Sequence, residues 1–206
     1  MPKLLKTLSI LSVVALTGTA FAQDTTKPAA ETAPAAEAPA DALNMGEAVA
    51  DPNAPGTPYF RESSGDWQLE CLKVEEGQEE PCQLYQALND ADGNQVANVR
   101  LFRLPDGGKA VAGALIAVPL ETLLTAQLTI TVDGGKGKRF PFSVCDRLGC
   151  YARIGLTSED IQGFKKGAKA SVTLVPFVAP DQKVELPMSL SGFTAGYDMA
   201  SQIAAQ

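Results

Sequence analysis

Alternation of apolar and polar side chains dominates the chain from Tyr59 onward. Trp67, Leu69 and Cys71 alternate with Gln68 and Glu70, which turns one face of a strand inward and the other to water. Period-two runs recur at Val99 and Leu101, at Leu128, Ile130 and Val132, and at Phe140, Phe142 and Val144. Two more follow, at Val172 and Leu174 with Val178 further on, and at Val184, Leu186, Met188 and Leu190. Val111 to Val118 is apolar on both faces and predicts a central strand. Turn signals separate the runs at Glu76-Gly77, Asp92-Gly93-Asn94, Asp106-Gly107-Gly108, Asp133-Gly134-Gly135 and Ala179-Pro180-Asp181. About eight short strands with hairpin punctuation and no alternating helices predict a mainly β fold, an antiparallel sandwich or barrel.

One helix is predicted over Ser158–Lys166. Thr157 or Ser158 can cap it, Glu159 and Asp160 suit its positive end, and Lys165 and Lys166 suit its negative end before Gly167. A second short helix is expected near Gly196–Ile203.

The first 58 residues read differently. Lys3 and Lys6 precede an apolar run from Leu8 to Ala20, too short to span a bilayer, and Ala20-Phe21-Ala22 places small residues where a signal peptidase reads them. Residues 1–22 are therefore expected to be a signal peptide cleaved between Ala22 and Gln23, with no cysteine there to take a lipid anchor. Residues 23–58 are rich in Ala, Pro, Glu, Asp and Thr, with prolines at 28, 34, 39, 52, 55 and 58. So little apolar surface cannot offset the entropy of ordering, and the segment predicts a disordered arm ahead of a β-sandwich domain over 59–203.

Composition narrows the chemistry. The 206 residues include no histidine, which excludes serine-histidine triads and metal or haem sites built on imidazole. The formal charge is −7, and about −9 once Lys3 and Lys6 leave with the signal peptide. Such a balance disfavours nucleic acid and anionic lipid as partners, and no later stretch reaches the ~18 apolar residues of a membrane span.

Four cysteines behind a signal peptide imply disulfides in an oxidising compartment, with three pairings possible. Local pairing is simplest: Cys71 with Cys82 across a polar loop, and Cys145 with Cys150 across Asp146-Arg147-Leu148-Gly149. A four-thiolate zinc site is the alternative, although ten and four intervening residues do not form two short knuckles. Thiol catalysis is another, although Cys-x-x-x-x-Cys in a hairpin lacks the helix start that activates a thiolate.

Other constellations are weak. Asp90, Asp92 and Asn94 match the start of a calcium loop, but Gln95 and Leu101 stand where glycine and a bidentate glutamate belong. Glu75, Glu76, Glu79 and Glu80 have nothing apolar to separate the pKa values of a glycosidase pair, and read as a solvated loop. Lys136, Lys138 and Arg139 form a basic hairpin tip, a possible binding point for an anionic polymer or head group. No residue set nominates a nucleophile, a metal or a cofactor.

Gly65-Asp66-Trp67-Gln68-Leu69-Glu70-Cys71, Pro81-Cys82-Gln83-Leu84, Phe142-Ser143-Val144-Cys145 with Gly149-Cys150, and Ser189-Leu190-Ser191-Gly192-Phe193 together resemble the invasion-associated locus B family of bacterial exported proteins. The resemblance runs from about Arg61 to Ala200. It implies a periplasmic or surface-associated β-sandwich of immunoglobulin-like type, from a family found largely in alphaproteobacteria and named for host-cell invasion. It implies Trp67 as a core aromatic and Cys71, Cys82, Cys145 and Cys150 as disulfide partners, and it supplies no catalytic residues. The expected function is a non-enzymatic exported protein that binds a protein or cell-envelope component. A carboxylate-based enzyme on a cell-wall or glycan substrate is the alternative.

Overall fold

The computed structural model describes residues 46–49 and 51–203. The expected signal peptide over 1–22, its Ala22/Gln23 cleavage site and the arm as far as residue 45 lie outside the described residues. Among the described residues, eleven strands, two α-helices and one 3-10 turn at Leu124–Ala126 run in order: β1 (Pro58–Ser64), β2 (Trp67–Leu72), β3 (Cys82–Asn89), β4 (Gln95–Arg103), β5 (Ala112–Val118), β6 (Leu128–Val132), β7 (Lys138–Phe140), β8 (Val144–Cys145), β9 (Cys150–Leu156), α1 (Ser158–Lys166), β10 (Lys169–Leu174), β11 (Val184–Ser189) and α2 (Phe193–Met199).

The strands form two antiparallel sheets, as the alternation predicts. One has seven strands in the order β1-β2-β3-β4-β5-β9-β8, the other four in the order β11-β10-β6-β7. Inward residues of both sheets meet in one core, Leu84, Leu101, Ile116 and Ala152 from the larger and Leu128, Val172 and Leu186 from the smaller. β5 lies inside the large sheet between β4 and β9, as its unbroken apolar run requires.

Val178, read with the run of Val172 and Leu174, lies beyond β10 and is exposed, and three further features of the backbone depart from the sequence reading. The run Phe140-Phe142-Val144 is not one strand. Pro141 cannot donate to a ladder, β7 ends at Phe140, and the chain passes from the small sheet to β8 in the large one. The second helix starts at Phe193, three residues before Gly196, because Gly192 takes φ 79° and turns the chain so that Phe193 enters the core. Residues 51–57, arm-like in composition, form turns tied to the sheet, with Gly56 N donating to Lys73 O at 2.7 Å and Lys73 N to Thr57 O at 2.9 Å.

α1 carries the expected start. Asp160 N donates to the Thr157 side chain while the Asp160 carboxylate accepts from Thr157 N, a reciprocal capping box. Both helices cover an aromatic cluster in which the Phe193 ring meets Trp67 at 5.5 Å, Phe164 at 5.4 Å and Tyr197 at 5.8 Å between centroids.

The sheets are clasped at Ser189. Its carbonyl accepts from Trp67 Nε1 at 2.9 Å, its amide donates to Gln86 Oε1 at 2.8 Å, and its hydroxyl donates to Asp66 Oδ2 at 2.6 Å. Gln86 is buried on β3 with both ends of its amide hydrogen-bonded. The sheet edges are irregular: β1 carries a bulge between Phe60 and Glu62, β11 contains Pro187, β7 has three residues and β8 two.

Candidate functional site

The three residues of the basic tip do not form one cluster. Lys136 is exposed in the turn after Gly134. Lys138 leaves one face of β7 and pairs with Asp160 on α1. Burial pushes the Asp160 carboxyl up, but the Lys138 ammonium and the Thr157 donors outweigh it and hold the group below its ordinary range. Arg139 leaves the opposite face of β7 and stands over the outer surface of the small sheet.

That outer surface is a shallow polar concavity. Thr129 lies directly across from Thr173, and Thr131 from Ser171, so β6 and β10 present a two-by-two block of hydroxyls. Arg139 flanks it on β7, and Glu185 and Pro187 on β11. Lys169 stands at one end of the strands and Lys183 beyond the other. Among the described residues the charged heads of Arg139, Lys169 and Lys183 have no ion-pair partner, and the four hydroxyls make no hydrogen bond to protein. Asp133 also lines the concavity; its carboxylate accepts from the amides of Ala168 and Lys169 at 3.0–3.2 Å, keeps its negative charge, and with Glu185 sets two anions against the three cations. Gly137 keeps the block open: a Cβ there would lie 2.8 Å from Thr131 Oγ1 and 2.9 Å from Thr129 Cγ2.

A second surface lies at the Cys145–Cys150 turn. The two sulfurs are at disulfide distance, as are those of Cys71 and Cys82, which matches the local pairing expected from the sequence. Asp146 Oδ1 accepts from the amides of Leu148 at 2.7 Å and Gly149 at 3.2 Å, and the Tyr151 hydroxyl donates to the same carboxylate. The Leu148 amide is the foremost cause that holds the Asp146 carboxyl below its usual range. Gly149 tucks against β5, where a Cβ would stand 2.5 Å from Val118 O. A turn fastened at so many points nevertheless presents its largest side chains to water: Leu148 is 87% exposed, Val144 is 54% exposed, and Arg147 is exposed between them.

The remaining sequence candidates are structural. Asp90 accepts from the amides of Asp92 and Asn94 at 3.0 and 2.9 Å, so the calcium-like run is an Asx-type turn. In the acidic loop, Glu80 takes hydrogen bonds from Tyr59 and Arg61 and pairs with Lys73, and the Tyr59 hydroxyl leads in lowering its pKa. Sequence reasoning missed the buried Glu70. It holds Arg100 through two bonds of 2.7 and 3.1 Å and accepts from Gln83, spanning β2, β3 and β4 on the outer face of the large sheet. It also missed the hydroxyl block, whose polar positions are the unremarked alternates of strands read for their apolar ones.

The model of the invasion associated locus B protein family matches residues 67–201. The chain belongs to the invasion associated locus B family. The match starts at Trp67 of the Ser189 clasp and includes both cysteine pairs and both surfaces just described. A crystal structure of invasion associated protein B from Bartonella henselae is similar to this locus B family member, with a TM-score of 0.55 and 21% identity over 65% of this chain and 89% of that one. At that identity the likeness is one of fold. No curated protein matches the chain. For this locus B family member, two cysteine pairs at disulfide distance and the family itself point to an exported protein. No helix among the described residues is long and apolar enough to cross a membrane.

Proposed function

We propose that this chain is a periplasmic or surface-associated binding protein without catalytic activity, and that its Cys145–Cys150 turn engages a protein partner of the cell envelope or host. One observation carries the reading: a turn held by a disulfide, an aspartate cap and a glycine contact exposes Arg147 and Leu148. Ordering a loop at an interface costs binding free energy, so a turn ordered beforehand binds with less loss. Arginine is among the residue types most enriched as interface anchors.

The test is photocrosslinking in living cells with a reactive residue at Leu148, and a control at Gln78 in the acidic loop. The expected result is one protein captured at position 148, absent at 78, and lost when Arg147→Glu is added. Absence of capture at 148, or turnover of an envelope substrate by the purified protein that a single carboxylate substitution abolishes, overturns the proposal.

A further inference from the structure

We propose that the outer face of the small sheet binds an acidic polysaccharide, independently of the Cys145–Cys150 turn. The face combines two kinds of group. Thr129, Thr131, Ser171 and Thr173 each offer a donor and acceptors that no described protein group uses. Strand geometry sets the block at about 5 Å across and about 7 Å along, the footprint of one sugar ring, and its hydroxyls match those of a sugar in kind. Arg139, Lys169 and Lys183 then supply cations around it.

The spacing of the cations selects a polymer. Arg139 on β7 and Lys183 at the β11 side are three strand intervals apart, about 14 Å. Lys169 pairs with Ser189, six residues from Lys183, which puts these two about 20 Å apart along the strands. No single small anion reaches two of them, whereas a chain with a carboxylate or sulfate on successive sugars does. The overall acidity of the protein does not forbid this, because at physiological salt charges more than about 8 Å away are screened while the local cations are not.

Other polyanions fit less well. The lining contains no aromatic side chain, so bases of a single-stranded nucleic acid have no stacking platform. It contains no large apolar anchor of the kind that centres a protein interface. Asp133 and Glu185 oppose the charge of the ligand within the lining, and Glu185 lies on β11 two residues from Lys183, so a polymer that runs across β7, β6 and β10 to Lys183 meets repulsion there.

The experiment is calorimetric titration of the purified protein with polygalacturonate, neutral dextran and poly-glutamate at 50 and 300 mM salt. Polygalacturonate is expected to bind, with at least tenfold loss at the higher salt, dextran not to bind, and poly-glutamate to bind at least tenfold more weakly. The triple variant Arg139→Gln, Lys169→Gln, Lys183→Gln is expected to lose tenfold or more at an unchanged melting temperature. Glu185→Gln is expected to tighten binding several-fold, and Thr131→Val with Ser171→Ala to weaken it without changing the salt dependence. Failure of polygalacturonate to bind, equal binding of poly-glutamate, or indifference to both the triple variant and Glu185→Gln overturns the proposal. The capture at Leu148 is unaffected by any of these results.

Discussion

Gly65 and Gly192 cross back to back. A Cβ on Gly192 would lie 1.9 Å from Ser64 O, and one on Gly65 would lie 2.5 Å from Ser191 O. Both residues have positive φ, 59° and 79°. The turn from β1 to β2 therefore rests on the passage from β11 to α2 with no room for a side chain between them. Gly192→Ala must both adopt a left-handed backbone and part the two segments, so it is expected to destabilise by more than about 4 kcal/mol. Urea denaturation of the variant beside the parent measures it; a loss under about 1 kcal/mol would show that the crossing yields easily.

The opposite outcome is expected at Gly163. It lies inside α1 with no positive φ, and a methyl group placed there would meet nothing within 4 Å. Gly163→Ala restricts the unfolded chain and adds no clash, so it should stabilise by about 0.5–1 kcal/mol in the same assay.

The two cysteine pairs should differ in what they support. Cys71 and Cys82 are both buried in the core where β2 meets β3, whereas Cys145 is exposed. Replacing Cys71 and Cys82 by alanine removes a constraint on the unfolded chain and packed sulfur, at a cost of about 2–5 kcal/mol. Replacing Cys145 and Cys150 by serine is expected to cost less in stability and to abolish capture at Leu148. Thermal melts and crosslinking on the two double variants separate these effects.

Acid should loosen the Cys145–Cys150 turn only below the ordinary carboxylate range. The folded pKa of Asp146 is depressed, so its contribution is fully present above the unfolded value of about 3.9 and is lost as pH falls through the lower folded value. The amide resonances of Leu148 and Gly149 are expected to hold from pH 7 down to about 4 and shift below it. Asp146→Asn should remove that transition. A midpoint near pH 5 would contradict the cap.

The legible part of the fold is what periodicity encodes. Trp67-Leu69-Cys71, the apolar Val111–Val118 run and the caps of α1 predict their elements because burial and capping leave residue-by-residue marks. β3 and β9 are harder to see. Gln86 interrupts the inward face of β3 as a buried polar residue, and Cys150 and Ala152 are small inward positions on β9. The crossing of sheets at Pro141 is a tertiary event with one local sign, a proline inside an alternating run. The candidate surfaces are half legible: the sequence marks Arg139 and the Cys145–Cys150 turn, while Lys169, Lys183 and the hydroxyl block are brought together by strand pairing across distant segments.

The irregular edges restrict how this protein can be recognised. A bulge in β1, a proline in β11 and the brevity of β7 and β8 deny a visiting peptide the row of aligned amides and carbonyls that main-chain pairing requires. Capture of an extended peptide as an additional strand is disfavoured at each of the four margins. Recognition is left to side chains, and selectivity for a ligand then depends on a few positions that can change without altering the scaffold beneath them.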